Sequence, residues 1–118
     1  MIIRKRALED VPREGAHDGA GGRRMYVDRG DIANIDWQAM TYGYLPGGST
    51  FDWHHHDDIE EVMLVLKGSG VVSDRDGDYD YAPGDLFHFP ANQEHRIHNP
   101  TDVEHEYIFV RVAARTEG

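Results

Sequence analysis

The sequence predicts an all-β protein, one antiparallel barrel or sandwich, and three observations carry that prediction. Short apolar runs alternate with turn signals from Thr41 onward. The segment Glu61-Val62-Met63-Leu64-Val65-Leu66 is apolar on both strand faces, so something must cover each of them. The one stretch with helical potential is a turn near Ile32–Ala39.

The chain opens on Met1-Ile2-Ile3-Arg4-Lys5-Arg6, a basic start followed by Glu9, Asp10 and Pro12 where a signal peptide would need its apolar run. With no long apolar stretch either, the expectation is a cytoplasmic protein without membrane contact. Gly15-Ala16-His17-Asp18-Gly19-Ala20-Gly21-Gly22 has neither helical nor strand periodicity and reads as a loop between short strands.

Beyond residue 40 the turns come at hairpin spacing: Pro46-Gly47-Gly48, Gly68-Ser69-Gly70, Asp76-Gly77-Asp78, Pro83-Gly84 and Asn99-Pro100. Between them lie the expected strands 41–45, 49–56, 60–67, 70–75, 78–81, 85–89, 95–98 and 105–113, several rich in β-branched and aromatic residues. At 118 residues the chain has the size of one domain. We read residues 1–40 as N-terminal strands and loop, and 41–113 as the barrel core of that single domain. The two apolar faces of strand 60–67 suggest that a second sheet, the N-terminal segment or another subunit covers the outside, and we expect a homodimer.

The net charge is -10, and it is unevenly placed. Residues 1–40 carry seven Lys and Arg against seven Asp and Glu, whereas 41–118 carry five against fifteen. Such a surface repels phosphate backbones and anionic lipids, which argues against nucleic-acid and membrane partners. There is no cysteine, so thiolate nucleophiles, disulfides and sulfur-ligated metal sites are excluded, and a metal would need nitrogen and oxygen donors.

Those donors are present. His54 and His56 stand two apart in Gly48-Ser49-Thr50-Phe51-Asp52-Trp53-His54-His55-His56, so on an extended strand both imidazoles leave the same face. Glu61 follows after a stretch long enough to bend back, and a strand ending at Pro90 delivers His95. Three imidazoles and a carboxylate form a set that Fe, Mn, Ni, Co, Cu or Zn accepts as a single divalent ion.

These two segments resemble the paired motifs of the cupin superfamily, G-x5-H-x-H-x4-E-x6-G and G-x5-P-x-G-x2-H-x3-N. Gly48, His54, His56, Glu61 and Gly68 match the first; Gly84, Pro90, His95 and Asn99 match the second. Asn92 stands where the pattern has glycine, and Asn is the residue that most readily replaces Gly in the left-handed region. The resemblance spans residues 48–99 and implies a double-stranded β-helix, or jelly-roll barrel, with metal bound inside by His54, His56, Glu61 and His95.

Other residues compete for roles. The six-residue gap from Glu61 to Gly68 favours Glu61 over Glu60 as ligand, and alternation turns His55 away. Asp57-Asp58 reads as a solvated bend. His88, His98 and His105 read as packed or exposed side chains. His17 is a loop residue that would have to close over the site to act. Tyr42, Tyr44, Met63 and Arg111 are candidate pocket residues by strand parity.

Cupins include dioxygenases, isomerases, epimerases, decarboxylases, lyases and non-catalytic binding proteins, so the resemblance leaves function open. The leading expectation is a metal-dependent enzyme acting on a small-molecule substrate, as a non-haem dioxygenase. Metal-assisted isomerase or lyase chemistry and non-catalytic small-molecule binding are the alternatives.

Overall fold

A computed structural model describes residues 7–15 and 21–114, and His17 lies outside them. Ten strands run in the order β1 Glu14–Gly15, β2 Gly22–Val27, β3 Trp37–Leu45, β4 Thr50–His54, β5 Ile59–Lys67, β6 Gly70–Ser73, β7 Asp78–Tyr81, β8 Leu86–Phe89, β9 His95–His98 and β10 His105–Ala113. They form two antiparallel sheets, β1-β2-β3-β10-β5-β8 and β4-β9-β6-β7. The sheets face each other as a jelly roll.

The core lies between them. Leu45, Met63, Val65, Ile97 and Tyr107 are essentially inaccessible, and Phe51, Val72, Tyr81, Phe89 and Phe109 complete the cluster. Each large apolar side chain buried in this way contributes roughly 1.5–3 kcal/mol. Alternation along β5 explains its composition: Glu61, Met63 and Val65 point inward, while Leu64 and Leu66 remain exposed on the outer face. The outer face of β3 is covered differently, because Arg24 stacks on Tyr42 and donates to the carbonyls of Leu8 and Val11.

Turn chemistry sets the register. Gly68, with φ +99, packs so closely on His105 that an added Cβ would lie 2.0 Å from the imidazole ring. Asn92 adopts φ 63, the left-handed conformation anticipated for a residue standing in for glycine. Asn99 is fully buried; its amide donates to the carbonyls of Leu45 and Val103, and its oxygen accepts from the backbone and hydroxyl of Thr101.

Two sequence expectations need correction. The turn expected near Ile32–Ala39 is not helical: a 3-10 turn forms earlier, at Arg29–Asp31, and β3 has begun by Trp37. Reciprocal side-chain capping between Asp28 and Asp31 stabilises the earlier turn, and pairing with β10 draws residues 37–40 into the sheet. The strand expected over 49–56 ends at His54, which leaves His56 just beyond it.

Candidate metal centre

The inner wall of the barrel brings His54, His56, Glu61 and His95 together from three strands and the β4–β5 connection. A register shift in β4 is the local cause. Phe51 pairs with Ile97 and His54 with His95, so β4 spends three residues where β9 spends two. The bulge turns His54 to the same interior face as Phe51, and His56 follows it. The backbone carbonyl of His56 is held by the N–H of Asn92, tying the two motif segments together.

The ring centroids of His54 and His95 lie 4.3 Å apart, those of His54 and His56 5.4 Å, and those of His56 and His95 6.3 Å. Glu61 sits among them, with His56 Nε2 3.9 Å from one carboxylate oxygen and His95 Nε2 3.9 Å from the other. Two ligands on one first-row ion stand about 3.0–3.4 Å apart. The donors are therefore gathered but not closed, and among the described residues no three His, Asp or Glu side chains form a finished metal cage.

Glu61 is only 6% exposed. Burial pushes its carboxyl up to about 7, against the opposing pull of the Arg111 guanidinium. The Arg111 Nε lies 3.6 Å from Glu61 Oε2, and its Nη2 is 3.1 Å from His56 Nδ1. His54 is held differently: its Nδ1 donates to the carbonyl of Asp52 at 2.6 Å, which leaves Nε2 with the lone pair. The chemistry of this donor set, nitrogen and oxygen around a buried carboxylate, fits a divalent transition metal.

His54, His56, Glu61 and Arg111 line one cavity whose apolar side is Phe51, Ile97 and Phe109. His95 lines a second cleft on its far side, and Phe89 stacks flat on its ring at 4.0 Å. Of the other pocket candidates, Met63 faces inward but sits in the packed core. Tyr42 and Tyr44 face the other way. Thr41 pairs with Phe109 and Gly43 with Tyr107, so it is Thr41 and Gly43 that share the interior face, and both line the cavity. Tyr42 instead hydrogen-bonds Glu106, and Tyr44 stacks under Arg13.

The remaining polar candidates have surface or structural partners. Glu60 lies 3.3 Å from His88. His55 pairs with the well-exposed Asp57, and His98 Nδ1 with the Thr50 hydroxyl. His105 is buried, bonded to Tyr81 through Nδ1 and to Thr101 through Nε2, and Tyr81 bonds in turn to Tyr107. Sequence reasoning missed Arg23, which pairs with Gly43 in register, lines the cavity and donates to Glu14. Its place depends on β2 lying beside β3, which no local signal announces.

The sequence model of the cupin domain family matches residues 40–111. The chain belongs to the cupin family. This cupin is similar to L-ectoine synthase of Nocardia farcinica, 31% identical over 112 residues that cover 92% of this chain and 82% of that protein. The similarity to L-ectoine synthase of Rhodococcus opacus is 26% over 113 residues, covering 92% and 83%. Among solved structures, a predicted oxalate decarboxylase from Thermotoga maritima superposes with a TM-score of 0.81 at 21% identity, covering 96% of this chain and 99% of that one. The polyketide cyclase of Streptomyces resistomycificus gives 0.80 at 18% identity, covering 97% and 81%. At those identities the structural likeness establishes the jelly-roll fold of this cupin and no more.

Proposed function

We propose that this cupin is a metal-dependent enzyme that rearranges or cyclises a small organic molecule, with the ion held by His54, His56, Glu61 and His95. One observation carries the reading: three imidazoles converge on a buried carboxylate, and two of them and the carboxylate line a cavity that Phe51, Ile97 and Phe109 line as well. A bound ion would act as a Lewis acid on a carbonyl or similar oxygen. The chain's own groups do the rest. Phe51, Ile97 and Phe109 exclude water, Glu61 offsets part of the ion's charge, and Arg23 presents a guanidinium to an anionic part of the substrate. The names of the similar proteins, L-ectoine synthase and polyketide cyclase, favour bond rearrangement over oxygen insertion for this cupin. The dioxygenase expectation uses the same ligands, and oxygen uptake separates the two.

The test is elemental analysis of untagged protein, followed by oxygen uptake with small phenols, diketones and hydroxy acids and by binding of L-ectoine. About one metal per chain, lost in His56→Ala with the barrel still folded, is the expected result. Metal content unchanged by that substitution would overturn the ligand assignment. Substrate-dependent oxygen uptake would replace the rearrangement reading with the dioxygenase.

The outer face of β5 supports a homodimer. Leu64 pairs in register with Leu86 and Ile108, and Leu64, Leu66 and Leu86 are exposed. With Glu60 at one end of this strip and Lys67 at the other, a two-fold axis near Leu64 would set opposite charges against each other.

A further inference from the structure

His54 and His56 are held by opposite hydrogen-bond chemistry. A carbonyl can only accept, so His54 carries its hydrogen on Nδ1 and turns a lone pair outward at Nε2, the arrangement of a metal ligand oriented from behind. A guanidinium can only donate, so His56 accepts from Arg111 at Nδ1. The neutral ring then carries its hydrogen on Nε2, the atom that faces Glu61. In that tautomer neither nitrogen of His56 is available to an ion: one is occupied by Arg111 and the other is protonated. The same guanidinium stands 3.6 Å from the Glu61 carboxylate.

We infer that Arg111 is a resident cation that occupies the metal's electrostatic place, and that metal loading requires it to withdraw from His56 and Glu61. The inference rests on the metal reading above and adds a residue that opposes loading. Binding through Nε2 moves the His56 hydrogen to Nδ1, which the guanidinium must first vacate; binding through Nδ1 displaces the guanidinium directly. In either case a positive charge must move aside before a second one enters, and the repulsion between them lowers affinity. Arg111 is thus a positioning residue that sets metal affinity.

The experiment titrates Co(II) into chelator-treated, untagged wild type, Arg111→Met and Arg111→Lys, reading affinity by competition with an indicator and coordination from the cobalt spectrum. Arg111→Met is expected to bind about tenfold tighter or more, with Arg111→Lys between it and wild type. Equal or weaker binding by Arg111→Met, with wild type binding well, would overturn the inference and leave the metal reading standing. No cobalt binding by wild type or either variant would overturn the metal reading itself. Nitrogen NMR of histidine in the wild type provides a check that needs no variant. His56 is expected to be unprotonated at Nδ1 without metal and to change tautomer or become ligated when Zn(II) is added. A protonated Nδ1 in the metal-free protein would refute the arrangement.

Discussion

Glu61 makes the metal-free protein pH-sensitive in a direction opposite to that of carboxylates held by ion pairs. Burial raises its carboxyl from 4.5 in the unfolded chain to about 7 in the fold, and Arg111 only partly opposes this. Between those two values the folded protein keeps a proton that the unfolded chain releases. The stabilisation is therefore complete below pH 4.5, falls as pH rises, and is gone above about 7. At about 1.4 kcal/mol for each tenfold change in proton affinity, the whole effect is about 3 kcal/mol, most of which falls between pH 5 and pH 8. Glu61→Gln removes it. Urea unfolding of chelator-treated wild type and variant at pH 5 and pH 8 measures the difference directly. Subtracting the variant also cancels the general self-repulsion of a chain with net charge -10. The variant is expected to lose about 2–3 kcal/mol less than wild type across that interval. Parallel pH dependence in the two proteins would refute the reasoning.

Three further outcomes follow from packing. Gly68→Ala places a Cβ 2.0 Å from the His105 ring in a left-handed conformation and should cost about 3 kcal/mol or more in urea unfolding. Asn99→Ala leaves two carbonyls and the Thr101 donors without their partner and should cost about 2–3 kcal/mol by the same measure. Leu64→Glu should convert the proposed dimer to a monomer in light scattering while leaving the circular dichroism of the barrel unchanged, since the side chain lies outside the core.

The parts of this protein legible in its sequence are those written in short-range signals. Turn glycines and prolines marked the hairpins, and the spacing of His54, His56 and Glu61 marked one wall of the site. Where long-range pairing decides, the reading failed. Tyr42 and Tyr44 are indistinguishable from Thr41 and Gly43 until β10 fixes which set faces inward. Arg23 reaches the cavity because β2 adds itself to the sheet edge, and the buried chain from Thr101 through His105 and Tyr81 to Tyr107 joins residues from separate hairpins. Within the expected turn at Ile32–Ala39 a non-helical turn closes from Asn34 to Trp37, and residues 37–39 went to strand pairing, a tertiary effect that local propensity does not carry.

The bulge in β4 gives the candidate site one residue more than regular pairing requires. Because β4 spends one residue more than β9 between Phe51 and His54, the two side chains share the interior face although they stand three apart; removing a single residue from the bulge would restore regular pairing and leave His54 opposite His95 on that face. Every donor would remain in the chain, the strand would be straighter, and the imidazoles would still face inward. A one-residue deletion at Asp52 or Trp53 therefore tests whether the centre needs the bulge itself or only the face on which it sets His54.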